Sequence, residues 1–168
     1  NIINNPKLSK DDTAEETKPT VKWSPENEKI LVEWCDIAQC YKWLNFRSHT
    51  KLASQQAWFT IPAIILSTIT GTANFAHEAF PDSWKDYVPL GIGFLNLTAG
   101  LITTIAQFLR VSEKMEGHRA ASIAYAKLSR SIAVELSLPS DERSMTGIEY
   151  IKQCRMDIDR LIEQSPPI

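Results

Sequence analysis

Residues 87–109 carry no charge, with Asp86 before them and Arg110 after them. A run of about 20 apolar residues is long enough to cross a hydrocarbon core as a helix. No other feature limits the fold as strongly, because a segment in lipid must satisfy its own backbone groups. A second uncharged run covers residues 52–76, between Lys51 and Glu78. Polar flanks dilute both runs, which is why the mean hydropathy of the chain is only −0.20. The expected fold is all-α: a two-span antiparallel transmembrane helical hairpin with long helices extending into a cytosolic three-helix bundle.

Residues 1–23 mix lysines with acids, lack an apolar period and read as a mobile polar tail. They show no charged region leading into a short apolar segment, so no secretory signal is expected there. Residues 24–165 read as a single helical membrane domain. Ser24, Pro25, Glu26 and Glu28 form a helix start, with a hydroxyl cap, a proline at the first position and acids near the positive dipole end. The amphipathic helix 24–51 follows, with Ile30, Leu31, Trp34, Ile37, Ala38, Tyr41, Leu44 and Leu52 at helical spacing. Nothing breaks it before the first span at 52–76, so the two join as one helix bent near Pro62.

An outer loop at 77–86 leads to the second span at 87–109. Beyond Arg110, Val111, Met115, His118, Ser122, Tyr125, Ser129, Ile132 and Leu136 continue a seven-residue repeat. The second span is therefore expected to extend rigidly through 110–138, a rod of about 75 Å. Ser140 and Asp141 are placed as the cap of a C-terminal helix over 140–164. The loop is net acidic, while Lys42, Arg47, Lys51, Arg110, Lys114 and Arg119 lie on the other side of the spans. Both termini are thus expected in the cytosol, or on the equivalent inner face of a virion or organelle membrane.

Each span carries a polar, small-residue stripe. In the second it is Gly93, Asn96, Gly100, Thr103 and Gln107; in the first it is Gln56, Thr60, Ala63, Ser67, Thr70 and Asn74. Steps of three and four place each set on one helix side. An antiparallel hairpin pairs Ser67 with Asn96, Ala63 with Gly100, Thr60 with Thr103, Thr70 with Gly93 and Gln56 with Gln107. Two uses fit: close packing of the spans within one subunit, or the lining of a water-filled path in an oligomer. Below the spans, Asn45, Ser48 and His118 fall at one level and are expected as a buried hydrogen-bonded trio, with His118 a candidate pH-sensitive position.

Neither span contains an ionisable side chain of the Asp, Glu, Lys, Arg or His type, which argues against a proton relay, a voltage sensor or an ion-coupled transporter. No phosphate loop, metal-spaced cluster or nucleophile elbow is present, so the chain reads as a non-enzyme without cofactor, metal or small-molecule substrate. Glu113, Glu116, His118 and Arg119 crowd one region but point in different directions on a helix. Cys35, Cys40 and Cys154 lack paired spacing and read as reduced residues. A formal net charge of −2 gives no case for nucleic acid.

The order of elements resembles the SLATT family, two-transmembrane effector domains found beside nucleotide-signalling and sensor modules in bacterial conflict systems, with relatives in fungi, protists and large DNA viruses. The likeness covers roughly 25–164. Trp34, Ala38, Tyr41, Trp43, Leu44 and Ser48 carry it, then residues 60–62 with Ser67, Thr68, Thr70 and Gly71, then Glu116, His118, Arg119, Ala121, Tyr125, Leu128 and Arg130. The resemblance implies membrane perturbation or pore formation on oligomerisation and transfers no catalytic residue. A chain without an attached sensor domain also fits a structural component of a virion or organelle membrane, one that anchors a partner protein layer through its cytosolic helices. The expected partners are the lipid bilayer and either further copies of the chain or a membrane scaffold.

Overall fold

A computed structural model describes residues 23–168. Four helices dominate: α1 Pro25–Phe75, α2 Val88–Phe108, α3 Val111–Ser137 and α4 Gly147–Gln164, with no strand among the described residues. Two short turns of 3₁₀ helix, His77–Ala79 and Asp82–Trp84, connect α1 to α2. The expected tail at 1–23 lies outside the described residues apart from Trp23. That residue belongs to the fold: its indole N–H donates to the Met145 carbonyl at 3.0 Å and its ring lies 6.0 Å from that of Tyr150.

α1 starts where the Ser24 hydroxyl oxygen accepts the Asn27 N–H at 3.3 Å and Pro25 occupies the first turn. Pro62 lies inside it without ending it, so residues 24–51 and 52–76 belong to one element of 51 residues, about 75 Å long. Its inward face keeps one phase throughout. Leu31, Ala38 and Asn45 are buried, and Leu52, Phe59, Leu66 and Ala73, each seven residues on, are half-buried.

The rod expected over 87–138 is two helices. Arg110 adopts φ 50° and ψ 40°, a left-handed conformation that ends α2 and starts α3, at a cost of about 1 kcal/mol for a non-glycine residue. The phase of the buried residues supplies the reason. α2 turns Ile92, Ala99 and Ala106 inward, and an unbroken helix would bring Glu113 and Ala120 to that face next. α3 instead buries Val111, His118, Tyr125 and Ile132. The break at 109–110 absorbs this two-residue offset, which on a helix is a rotation of about 200°.

The first half of α1, α3 and α4 form a three-helix bundle. Its core joins Leu31, Cys35 and Ala38 to Ala121, Tyr125, Leu128 and Ile132, and closes on Tyr150 and Cys154. Tyr41 stacks on Tyr125 at 5.2 Å. The last helix begins later than the Ser140–Asp141 cap implies. Thr146 caps it, with its oxygen accepting the Glu149 N–H at 3.4 Å, and the Glu149 carboxylate accepts the Thr146 N–H at 3.2 Å. This reciprocal pair is a capping box.

Among the described residues one stretch, within Val88–Ser137, is long and apolar enough to cross a membrane, with only 11% of it buried inside the chain, and α1, which holds the other expected span, does not reach that measure. A core helix of that composition would be mostly covered by the rest of its own fold.

Candidate functional site

α2 lies back along the second half of α1. Ile92 and Ala99 are buried in the contact, with Leu95, Ile102 and Ala106 half-buried, against Phe59, Ala63, Leu66, Thr70 and Ala73. Apolar side chains therefore form most of the seam, and the two expected stripes divide between it and the surface. Ala63 and Thr70 are in the seam, whereas Thr60, Ser67, Asn74, Gly93, Asn96, Gly100, Thr103 and Gln107 are exposed on the chain's surface. The rotation at Arg110 explains this. The stripe ending at Thr103 and Gln107 is in phase with Val111 and His118 only on an unbroken helix.

The hydroxyls do not bridge helices either. Thr103 Oγ1 donates to the Ala99 carbonyl at 3.0 Å, Thr104 Oγ1 to Gly100 at 2.8 Å, and Thr70 Oγ1 to Ser67 at 3.1 Å, each within its own helix. Among the described residues, the Asn96 and Gln107 side chains make no hydrogen bond. The displaced stripes nonetheless share a region. A groove of about 510 Å³ has Thr60 and Ser67 on its α1 wall and Thr103 on its α2 wall. Asn96 and Gln107 lie two turns and one turn from Thr103 on the same helix side. Large apolar side chains, among them Phe94, Leu97, Leu101 and Phe108, are exposed elsewhere on α2.

Where α1 meets α3, the buried polar residues come together. His118 Nδ1 lies 2.8 Å from Asn45 Oδ1, and Asn45 Nδ2 donates to the Tyr41 carbonyl at 2.9 Å. Asn45 Oδ1 is therefore the acceptor, so His118 carries its proton on Nδ1. One turn away His49 Nδ1 donates to the Met115 carbonyl at 3.2 Å. Ser48 is half-buried and makes no hydrogen bond through its side chain among the described residues. The expected trio is thus a His118–Asn45 pair, with His49 as the neighbour in place of Ser48. Burial, and secondarily the charge of His49, hold the His118 pKa below the ordinary 6.5. Ser122 Oγ donates to the Lys42 carbonyl at 3.1 Å and Cys35 Sγ to the Ser129 carbonyl at 3.4 Å, so the antiparallel register runs evenly along the contact. The crowd of charges nearby resolves into exposed pairs, Arg119 with Glu116 at 3.2 Å and Arg110 with Glu113 at 3.6 Å.

Sequence patterning missed a clasp at the far end of the bundle. Arg143, buried in the turn between α3 and α4, donates from Nε to the Leu138 carbonyl at 3.0 Å and from Nη1 to Glu28 Oε1 at 2.6 Å, with its guanidinium 4.3 Å from the Trp23 ring. Beside it the buried Glu135 carboxylate accepts the Ser144 N–H and hydroxyl, both at 2.8 Å. Burial pushes the Tyr150 hydroxyl up to about 12 and the Cys154 thiol up to about 11, so neither is a reactive anion near neutral pH.

No family model, curated protein or solved structure matches the chain.

Proposed function

We propose that the chain is a two-span integral membrane protein, with both termini on the cytosolic or equivalent inner face, whose α1–α2 hairpins assemble into an oligomer that perturbs or perforates the bilayer. The observation that carries this reading is the exposed polar flank. Among the described residues Asn96 and Gln107 have no side-chain hydrogen-bond partner, and Thr60, Ser67 and Thr103 border the same groove. A primary amide facing hydrocarbon without a hydrogen bond costs on the order of several kcal/mol. In a membrane the flank therefore has to meet a second copy or water, and a ring of hairpins supplies both. The resemblance to two-span SLATT effectors points the same way. The lining would be polar but uncharged, giving little discrimination by ion charge.

Dye release from liposomes carrying the purified protein tests the reading. Release is expected from the wild-type chain, and the joint substitution Asn96→Leu, Thr103→Leu is expected to lower it about tenfold or more while insertion into the bilayer persists. Equal release by wild type and the double variant would overturn the polar-flank pore, and no release at any protein density would overturn perforation.

A second reading rests on a different observation. In the bundle half of α1, Trp43 and Phe46, three residues apart on one side of the helix, are exposed, an apolar patch suited to a partner protein layer. On this reading the chain is a structural membrane component of a virion or organelle. It predicts no leakage, and loss of partner recruitment on Trp43→Ser, Phe46→Ser.

A further inference from the structure

α1 and α3 are held together close to the Arg110 break by polar side chains, where a purely apolar seam would have no pH dependence. His118 lies eight residues beyond Arg110, about 12 Å along α3, and is buried with Asn45 while His49 occupies the next turn of the seam. Each imidazole donates its Nδ1 proton to an acceptor on the other helix, Asn45 Oδ1 or the Met115 carbonyl. The free position on each ring is then Nε2, where a further proton adds a full positive charge. We propose that His118, Asn45 and His49 form an acid-released latch: neutral, it clamps α3 onto α1, and protonated, it lets α3 swing about the left-handed joint at Arg110 without disturbing the α1–α2 pair. The proposal concerns the bundle and stands apart from whether the spans make a pore.

The surroundings favour release on protonation. On α1, the charged or titratable groups on this side are Lys42, which receives Ser122 through its carbonyl, Tyr41 and His49, with Arg47 and Lys51 exposed. α2 contributes no titratable side chain between Val88 and Phe108. On α3, Lys114 is exposed, Glu116 is committed to Arg119, and Tyr125 is stacked on Tyr41. At the C-terminal end Pro166 covers Gly117, where an added Cβ would fall 2.8 Å from its ring, and Glu163 and the chain terminus are exposed. The groups pressed on the imidazole are thus neutral or cationic, and its one hydrogen-bond partner is a neutral amide.

The direction follows from linkage. Burial depresses the His118 pKa below 6.5, so the released helix binds the proton more readily than the packed one. The latch is at full strength above about pH 6.5 and weakens progressively as the pH falls below it. The joint supplies the mobility. α2 and α3 are already separate helices at Arg110, and α3 can change its tilt by adjusting one residue already outside the helical region.

Hydrogen exchange of the full chain in micelles, compared at pH 7.5 and 5.5 after correction for intrinsic rates, tests the latch. In the wild type, protection across residues 112–125 is expected to fall at the lower pH, by at most about tenfold, with a smaller change in α2. His118→Gln preserves a donor for Asn45 and cannot be charged; it should keep its protection to within about twofold. Asn45→Asp places a carboxylate against the charged ring and should also abolish the acid loss, which keeps the test decisive if His118→Gln fails to fold. Unchanged protection in the wild type, or an equal acid loss in Asn45→Asp and the wild type, would overturn the latch.

Discussion

Replacing Arg143 with alanine should do more damage than any other single change in the turn between α3 and α4. The side chain is 6% exposed and ties three parts of the fold together: the last carbonyls of α3, Glu28 near the start of α1, and the Trp23 ring. The magnitude can be apportioned. Glu28 is 44% exposed, so its carboxylate rehydrates when the arginine is lost, and the ion pair itself counts for at most about 1 kcal/mol. The Leu138 carbonyl loses a charge-assisted hydrogen bond at 3.0 Å and the Leu136 carbonyl a weaker one at 3.4 Å, together about 1.5 kcal/mol. The cation over Trp23 adds about 0.5 to 1 kcal/mol. The expected loss is about 3 kcal/mol, close to a hundredfold rise in the local opening constant.

That rise should be read by native-state hydrogen exchange in amides of α4 and the last two turns of α3, where opening frees the clasp, while α2 amides stay unchanged. Glu28→Gln is the control, since an amide oxygen still accepts from Nη1; its effect should stay below about 1 kcal/mol. Arg143→Lys should fall nearer alanine than wild type, because an ammonium cannot serve two carbonyls, a carboxylate and a ring face together. If Arg143→Ala and Glu28→Gln were indistinguishable, the clasp would be a surface ion pair and the reasoning would fail.

Two smaller outcomes follow from the same end of the bundle. Thr146→Ala removes the hydroxyl half of the capping box on α4, leaving the backbone N–H to donate to Glu149, and should speed exchange in its first turn by about 1 kcal/mol, with Thr146→Ser close to wild type; equal loss for both variants would refute the cap. At pH 8 a thiol pushed up to about 11 by burial holds roughly a thousandth of its population as thiolate. A maleimide should therefore label exposed Cys40 in the native chain and reach Cys35 and Cys154 only on unfolding; Cys154 labelled as fast as Cys40 would contradict its burial.

The bundle was largely readable because its signals are periodic. Of the heptad repeat, Val111, His118, Ser122, Tyr125, Ser129 and Ile132 are buried and Met115 and Leu136 half-buried, while Ala121, Leu128 and Glu135, outside it, are buried beside them. The register was readable too, since the level that pairs His118 with Asn45 also sets Thr103 across the groove from Thr60. Rotation was not. Polar stripes on two apolar helices are expected to meet if each helix is continuous, and nothing at Leu109 or Arg110, neither glycine nor proline, announces a break. The capping box at Thr146 and Glu149 was written in the sequence at the spacing such boxes require, but Ser140 and Asp141 stood nearer the proline and competed for the assignment. Arg143 left no periodic trace, because a side chain in a turn finds its partners only through tertiary geometry.

The misplaced stripe and the left-handed arginine are one phenomenon. α1 presents a single unbroken face to two partners, buried at Leu31, Ala38 and Asn45 and continuing through Phe59, Leu66 and Ala73. α2 and α3 have apolar faces two residues out of phase, so one straight helix could satisfy only one of them against that face. Keeping both seams requires a turn of the chain between them, and the conformational cost at Arg110, about 1 kcal/mol, is small beside the side chains it allows to be buried, each contributing about 1.5 to 3 kcal/mol when fully removed from water. The same turn swings Asn96, Thr103 and Gln107 out of the seam and onto the surface. The packing that settles the bundle therefore also determines which residues the hairpin offers to its surroundings.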